Sequence, residues 1–168
     1  MKNFYKSKNR RGVIMKFLVI NGVNLNLTGK RETSVYGQAT LEDINAKIFA
    51  YAAQNGDSVE FYQSNIEGEL VNKLHEAYLQ KTCDGILFNA GAYTHYSYAL
   101  RDCIECINIP VVDVHMSNIY ARETFRHTDV LADVCVANFV GRGIQGYFDA
   151  VEFLVNNHST IKFIMDNL

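Results

Sequence analysis

Short apolar runs alternate with helical repeats along this chain, and that alternation leaves few folds open. The runs cover residues 16–20, 59–63, 86–88, 110–115 and 134–140. Strands joined through crossover helices are covered on both faces, so they read as continuous apolar segments rather than as alternating ones. Between them the apolar spacing changes to the helical period. Leu41, Ile44, Ile48 and Tyr51 share a face behind Thr40, an N-cap followed by acids, and that helix stops near Asn55-Gly56. Further helices are expected over 67–80, from Thr94 onward with Ala99, Leu100, Ile104 and Ile107 inward, and over 145–156. The pattern predicts an α/β fold: a flavodoxin-like, doubly wound, five-stranded parallel sheet with helices on both faces.

In such a sheet, ligands bind beyond the carboxyl ends of the strands. Residues 85–102 have the matching layout, with a buried strand, the small-residue turn Asn89-Ala90-Gly91-Ala92, then a helix carrying His95 near its start. Other polar strand exits converge on the same edge. The first run leads into residues 21–37, rich in Asn and Gly and without periodicity, long enough to act as a lid. That loop holds Asn24, Arg31 and Tyr36. The fourth run ends in His115, and the polar segment 116–127, expected to contain a short helical turn, adds Ser117, Arg122 and Arg126. If that turn is helical, the two arginines share a face. Arginines over a sheet edge favour an anionic or polyhydroxylated small ligand.

The chain has 168 residues, enough for one domain with a core. Three segments are expected: a basic disordered arm over 1–14, an α/β domain over 15–157 and a tail over 158–168 that could add a helical turn through Ile161, Phe163 and Ile164. Five of the 16 bases stand in the arm, so the remaining 11 face 18 acids, a formal charge near −7. Such a body repels nucleic acid unless its bases cluster. No apolar run reaches membrane-spanning length, and the expected setting is cytoplasmic and reducing. Cys103 and Cys106 have C-x-x-C spacing but fall inside a helix rather than at its start, and no second pair accompanies them, so a packing role is expected.

Tyr36 is the sharpest chemical candidate. Half-ionising a tyrosine at pH 7 needs a downward pKa shift of about 3 units, roughly 4 kcal/mol. Arg31, in the same loop, could supply it by holding a positive charge beside the phenolate. The plain alternative is a loop tyrosine that packs. His115 and Asp113 lie two apart on one strand, so they share a face, and the carboxylate could orient or charge the imidazole as a general acid. His95 and His115 could equally be satisfied by local backbone. Asp102 reads by default as an exposed helix carboxylate, paired with Arg101 or with a neighbouring subunit.

The segments Asn21-Gly-Val-Asn-Leu-Asn-Leu, Arg31-Glu, Val35-Tyr-Gly, Gln63-Ser-Asn, Glu67-Gly-Glu-Leu and Asn89-Ala-Gly-Ala-Tyr-Thr-His resemble the type II 3-dehydroquinate dehydratases. So do Ala99-Leu-Arg-Asp, Val114-His-Met-Ser-Asn-Ile, Ala121-Arg-Glu-Thr-Phe-Arg and Gly143-Ile-Gln-Gly-Tyr, in order from about residue 16 to 156. The resemblance implies cofactor-free and metal-free dehydration of 3-dehydroquinate to 3-dehydroshikimate, in the shikimate pathway or in quinate breakdown. It implies Tyr36 as tyrosinate base with Arg31 lowering its pKa, an enolate stabilised through a water held by Asn24, and His115 as the acid, helped by Asn89. Substrate would be bound by Asn89, His95, the Met116 backbone amide, Ser117 and Arg126, with Arg122 in support. Asp102 would serve the next subunit's site, in trimers built into a dodecamer. The chain departs from the family's usual pattern at Val23, where proline is usual, and at Asp113, where the usual glutamate would reach further.

Two other classes fit less well. A flavin-binding or phosphoacceptor module would need a Ser/Thr-rich first loop or acids at the strand exits, where Asn24 and Asn89 stand. An anion-binding module without catalysis would leave Tyr36 and His115 without tasks.

Overall fold

The structure, a computed structural model, describes residue 12 and residues 14–30 and 38–167. Arg31, Tyr36, the rest of the expected lid over 31–37 and most of the basic arm lie outside the described residues.

Among the described residues five parallel strands form one sheet: β1 (Lys16–Asn21), β2 (Ser58–Gln63), β3 (Gly85–Asn89), β4 (Val111–His115) and β5 (Ala137–Val140), in the order β2-β1-β3-β4-β5. This is the flavodoxin-like order expected from the alternation, and it places the reversal of strand order between β1 and β3. Asn21 pairs in register with Asn89 there, so both exits leave the sheet at one level.

Among the described residues the four α-helices are α1 (Leu41–Gln54), α2 (Glu67–Gln80), α3 (Tyr98–Cys106) and α4 (Gln145–Met165). Because side chains alternate along a strand, Phe17 and Val19 face one layer while Leu18 and Ile20 face the other. The first layer packs Ile44, Ile48 and Tyr51 of α1 and Val151 and Leu154 of α4 against β1, β3 and β4. The second packs Leu70 and Leu74 of α2 and Leu100, Cys103 and Ile104 of α3 against the opposite face. At α1 the Thr40 hydroxyl accepts from Asp43 N while the Asp43 carboxylate accepts from Thr40 N, which caps two backbone donors reciprocally.

Three local expectations are corrected. Thr94 does not open α3. It is buried in a 3-10 turn, Gly91–His95, and the cap is Ser97, whose Oγ accepts from Leu100 N at 3.0 Å. Ala99 is exposed, and Cys103 takes the inward position instead. The last helix runs on to Met165, past its expected end at 156. Ile161 continues its buried stripe, while Phe163 and Ile164 face outward. Cys103 is buried and its thiol pKa is pushed up to about 11 by that burial, which suits packing rather than redox work.

Candidate active site

The carboxyl edge of the sheet holds a cleft of about 110 Å³, lined by Val23, Asn24, Leu25, Asn89, Gly91, Ala92, His95, His115, Met116, Ser117, Ile119, Arg122 and Arg126. Eight expected site residues therefore meet there: Asn24, Asn89, His95, His115, Met116, Ser117, Arg122 and Arg126. Asp102 does not. It stands on α3 with its side chain exposed, 3.8 Å from Arg101. A larger groove of about 500 Å³ opens at the opposite, amino edge, among Met15, Asp84, Pro110 and Leu154, and none of the expected site residues among the described ones lines it.

Close backbone approach shapes the cleft's floor. Gly22 N donates to Asn89 O at 2.7 Å, and a Cβ on Gly22 would come within 2.3 Å of Ala90 O. Only glycine permits that contact between the exits of β1 and β3. Asn24 adopts a left-handed backbone, φ 66°, and its N–H donates to Asn65 Oδ1 at 2.8 Å, so the β1 exit is pinned to the β2 exit.

Asn89 is clamped. Its Oδ1 accepts from Gly91 N at 3.2 Å, and its Nδ2 donates to Tyr147 Oη at 3.1 Å. The Tyr147 hydroxyl in turn donates to Asn21 Oδ1 at 2.7 Å. All three side chains are buried, so the carboxamide has one orientation and one N–H left for a ligand. The tyrosine pKa is raised by burial, which keeps the hydroxyl a donor. Asn21 and Tyr147 stand within the family-like segments, but no local pattern reveals that they hold Asn89.

His95 Nδ1 lies 2.8 Å from the Thr128 carbonyl, which can only accept, so Nδ1 carries the proton and Nε2 remains an acceptor. Burial lowers its pKa, and the neighbouring charges of Arg126 and His115 lower it further, so the ring is neutral at pH 7. Arg122 and Arg126 are not on one helical face, because residues 119–127 form two short 3-10 turns with Arg122 between them. Both nonetheless meet Glu123, Arg126 Nε at 2.8 Å and Arg122 Nε at 3.7 Å.

His115 has an acidic nest. Its Nε2 lies 2.8 Å from Asp113 Oδ2 and 3.3 Å from Asp129 Oδ2, with all three side chains buried. Asp113 thus reaches the imidazole despite its short side chain. Its contact is an ion pair off the N–H direction, since neither of its oxygens makes a hydrogen bond, whereas Asp129 accepts one. Burial opposes charge on His115, but the two carboxylates prevail and raise its pKa to about 10. For Asp129, burial is likewise outweighed, first by His115 and then by the Leu131 N–H, and its pKa falls to about 2. Burial raises Asp113 to about 6, against the pull of His115. The ligand atoms of these three side chains lie within 4.8 Å of one another, a span a metal could bridge, but the imidazolium already provides the positive charge there. Asp129 is absent from the sequence-level expectations; it belongs to no motif and sits 14 residues beyond His115.

The sequence profile described as dehydroquinase class II matches residues 15–155. The 3-dehydroquinate dehydratase of Bacillus pumilus is 50% identical over 146 residues, covering 87% of this chain and 98% of the relative. That of Caldicellulosiruptor bescii is 52% identical over 136 residues, covering 81% and 93%. The crystal structure of the type II dehydroquinase from Butyrivibrio crossotus superposes with a TM-score of 0.82 at 46% identity, covering 85% of this chain and 98% of that one.

Proposed function

We infer the chemistry of the cleft from one premise: the chain belongs to the class II dehydroquinase family. Its activity is that of a 3-dehydroquinate dehydratase, a lyase that removes water from 3-dehydroquinate to give 3-dehydroshikimate. In the mechanism we propose, Tyr36 acts as tyrosinate, with Arg31 holding its pKa down, and takes the proton beside the ketone. The electron pair left behind forms an enolate, stabilised through a water held by Asn24. The enolate collapses to the enone, the C–OH bond breaks, and the hydroxyl leaves as water with a proton from His115. Solvent exchange then resets both groups. A base with a lowered pKa and an acid with a raised one divide the work as such an elimination requires.

The observation that best supports this division is the acidic nest around His115, which keeps a proton on the ring well above pH 7. Arg122 and Arg126 line the same cleft and suit the substrate carboxylate. The neutral His95, Asn89, Ser117 and the Met116 amide suit its hydroxyls. The same reading takes the assembly as trimers joined into a dodecamer, with the exposed Asp102 serving a neighbouring site, and the setting as cytoplasmic. No helix among the described residues is long and apolar enough to cross a membrane.

The test follows 3-dehydroquinate by ultraviolet absorbance, since the conjugated product absorbs where the substrate does not. Tyr36→Phe and His115→Ala should each lower kcat by orders of magnitude with folding intact. Turnover that survives Tyr36→Phe would refute the assigned base.

A further inference from the structure

Asp129 is a buried carboxylate beside His115 that belongs to none of the family-like motifs. Its Oδ2 accepts from His115 Nε2 at 3.3 Å. Its Oδ1 accepts from the Thr94 hydroxyl at 3.0 Å, Leu131 N at 3.0 Å and Ala132 N at 3.1 Å. One carboxylate therefore joins three segments: the end of β4, the turn that carries His95, and the loop leading to β5. The link is doubled nearby, where Val130 N donates to Thr94 O at 2.9 Å and His95 Nδ1 meets Thr128 O.

We propose that Asp129 is the positioning residue of the acid catalyst: it holds the Nε2–H of His115 and fixes that ring against the His95 turn. The inference rests on the dehydratase reading and extends it to a residue outside the recognised set. Asp113 cannot serve this purpose alone. Its 2.8 Å contact supplies charge but lies off the N–H direction, so it leaves the ring's rotation undetermined. Asp129 accepts along the N–H and is itself immobilised by three donors, so the ring inherits a fixed plane. With Nε2–H held between two carboxylates, the proton passed to the departing hydroxyl is the one on Nδ1. After the transfer His115 is a neutral imidazole that still donates from Nε2.

The groups that bear on His115 come from every neighbouring element. Asp113 stands on its own strand and Asp129 on the following loop. His95 stands on the turn after β3, and Arg122 and Arg126 on the 3-10 segment across the cleft. Cys135 feels both carboxylates, and Tyr147 of α4 feels Asp113, but burial raises both pKa values and keeps these two groups neutral. The two carboxylates are thus the groups that favour the imidazolium, and the nearby histidine and arginines oppose it.

The test is Asp129→Asn, which keeps an oxygen for Thr94, Leu131 and Ala132 but turns an N–H toward Nε2. The wild type is assayed first with 3-dehydroquinate; a wild type without turnover would undo the dehydratase reading and not this inference. With turnover established, Asp129→Asn should lower kcat by about tenfold or more, leave KM within about twofold, and move the basic limb of the kcat profile down by at least about one pH unit. Nitrogen-15 resonances of His115 should show the same downward shift without substrate, a readout that packing alone would not move. Thr94→Val removes one bond to Asp129 but keeps its charge, so the basic limb should stay in place. A limb and a His115 titration unmoved in Asp129→Asn, or moved equally in Thr94→Val, would overturn the proposal. Should Asp129→Asn fail to fold, the wild-type titration decides, because a His115 that titrates near the ordinary 6.5 refutes a nest that holds its proton.

Discussion

Removing one oxygen atom, in Tyr147→Phe, tests whether the clamp on Asn89 governs both stability and substrate binding. The Tyr147 side chain is fully buried, donates to Asn21 Oδ1 and accepts from Asn89 Nδ2. Phenylalanine keeps the ring and its place in the first core layer, so cavity formation adds little. What remains is an Asn21 oxygen and one Asn89 N–H, both buried, without the hydroxyl that pairs them. A buried polar group left unpaired costs about 1–3 kcal/mol, and the loss of the hydroxyl's own desolvation returns part of that, so a net destabilisation of about 2–4 kcal/mol is expected. The chain has no tryptophan, so urea unfolding is best followed by far-ultraviolet circular dichroism, at fixed protomer concentration because assembly would shift the midpoint. A freed Asn89 amide can rotate, so kcat/KM should also fall by about tenfold, or 1.4 kcal/mol. A stability change under about 0.5 kcal/mol with unchanged kcat/KM would refute the view that Tyr147 holds Asn89 through these two bonds.

Two further outcomes are expected. His115 keeps its proton to about pH 10 in the folded chain and to about 6.5 when unfolded, so its contribution to stability is complete below about 6.5 and drains as pH rises toward 10. Urea midpoints should fall across that window in wild type and fall less in His115→Ala; equal slopes would contradict the acidic nest. Ser97→Ala should cost about 1 kcal/mol through loss of the α3 cap, measured by the same unfolding curves, and a neutral result would contradict Ser97 as the cap.

Much of the architecture was legible because it is encoded locally. Apolar runs and helical repeats mark strands and helices through their periods, and the order of sheet strands follows from short right-handed crossovers. The site's edge was legible for the same reason: strand exits on a parallel sheet must converge, so Asn24, Asn89 and His115 could be placed together without coordinates. Thr94 shows the limit. A threonine ahead of a helical repeat reads as a cap, yet its hydroxyl donates to Asp129, 35 residues away, and Ser97 takes the cap instead. The arginine pair shows another, since spacing of four implies a shared face only on a continuous α-helix, and residues 119–127 break into two 3-10 turns.

The sequence by itself determined the doubly wound sheet, the edge that carries the candidate site, and the family through motifs that keep their order and spacing. Only the tertiary structure decided how the working side chains are held. Asn89 is oriented by a tyrosine 58 residues later, that tyrosine by an asparagine 126 residues earlier, and His115 by an aspartate on a separate loop. These contacts carry no local period, because each joins positions that only the folded sheet and the loops packed at its edge bring within hydrogen-bonding distance. Whether a buried polar atom is satisfied, and hence which way an amide or imidazole points, is a property of that assembled interior.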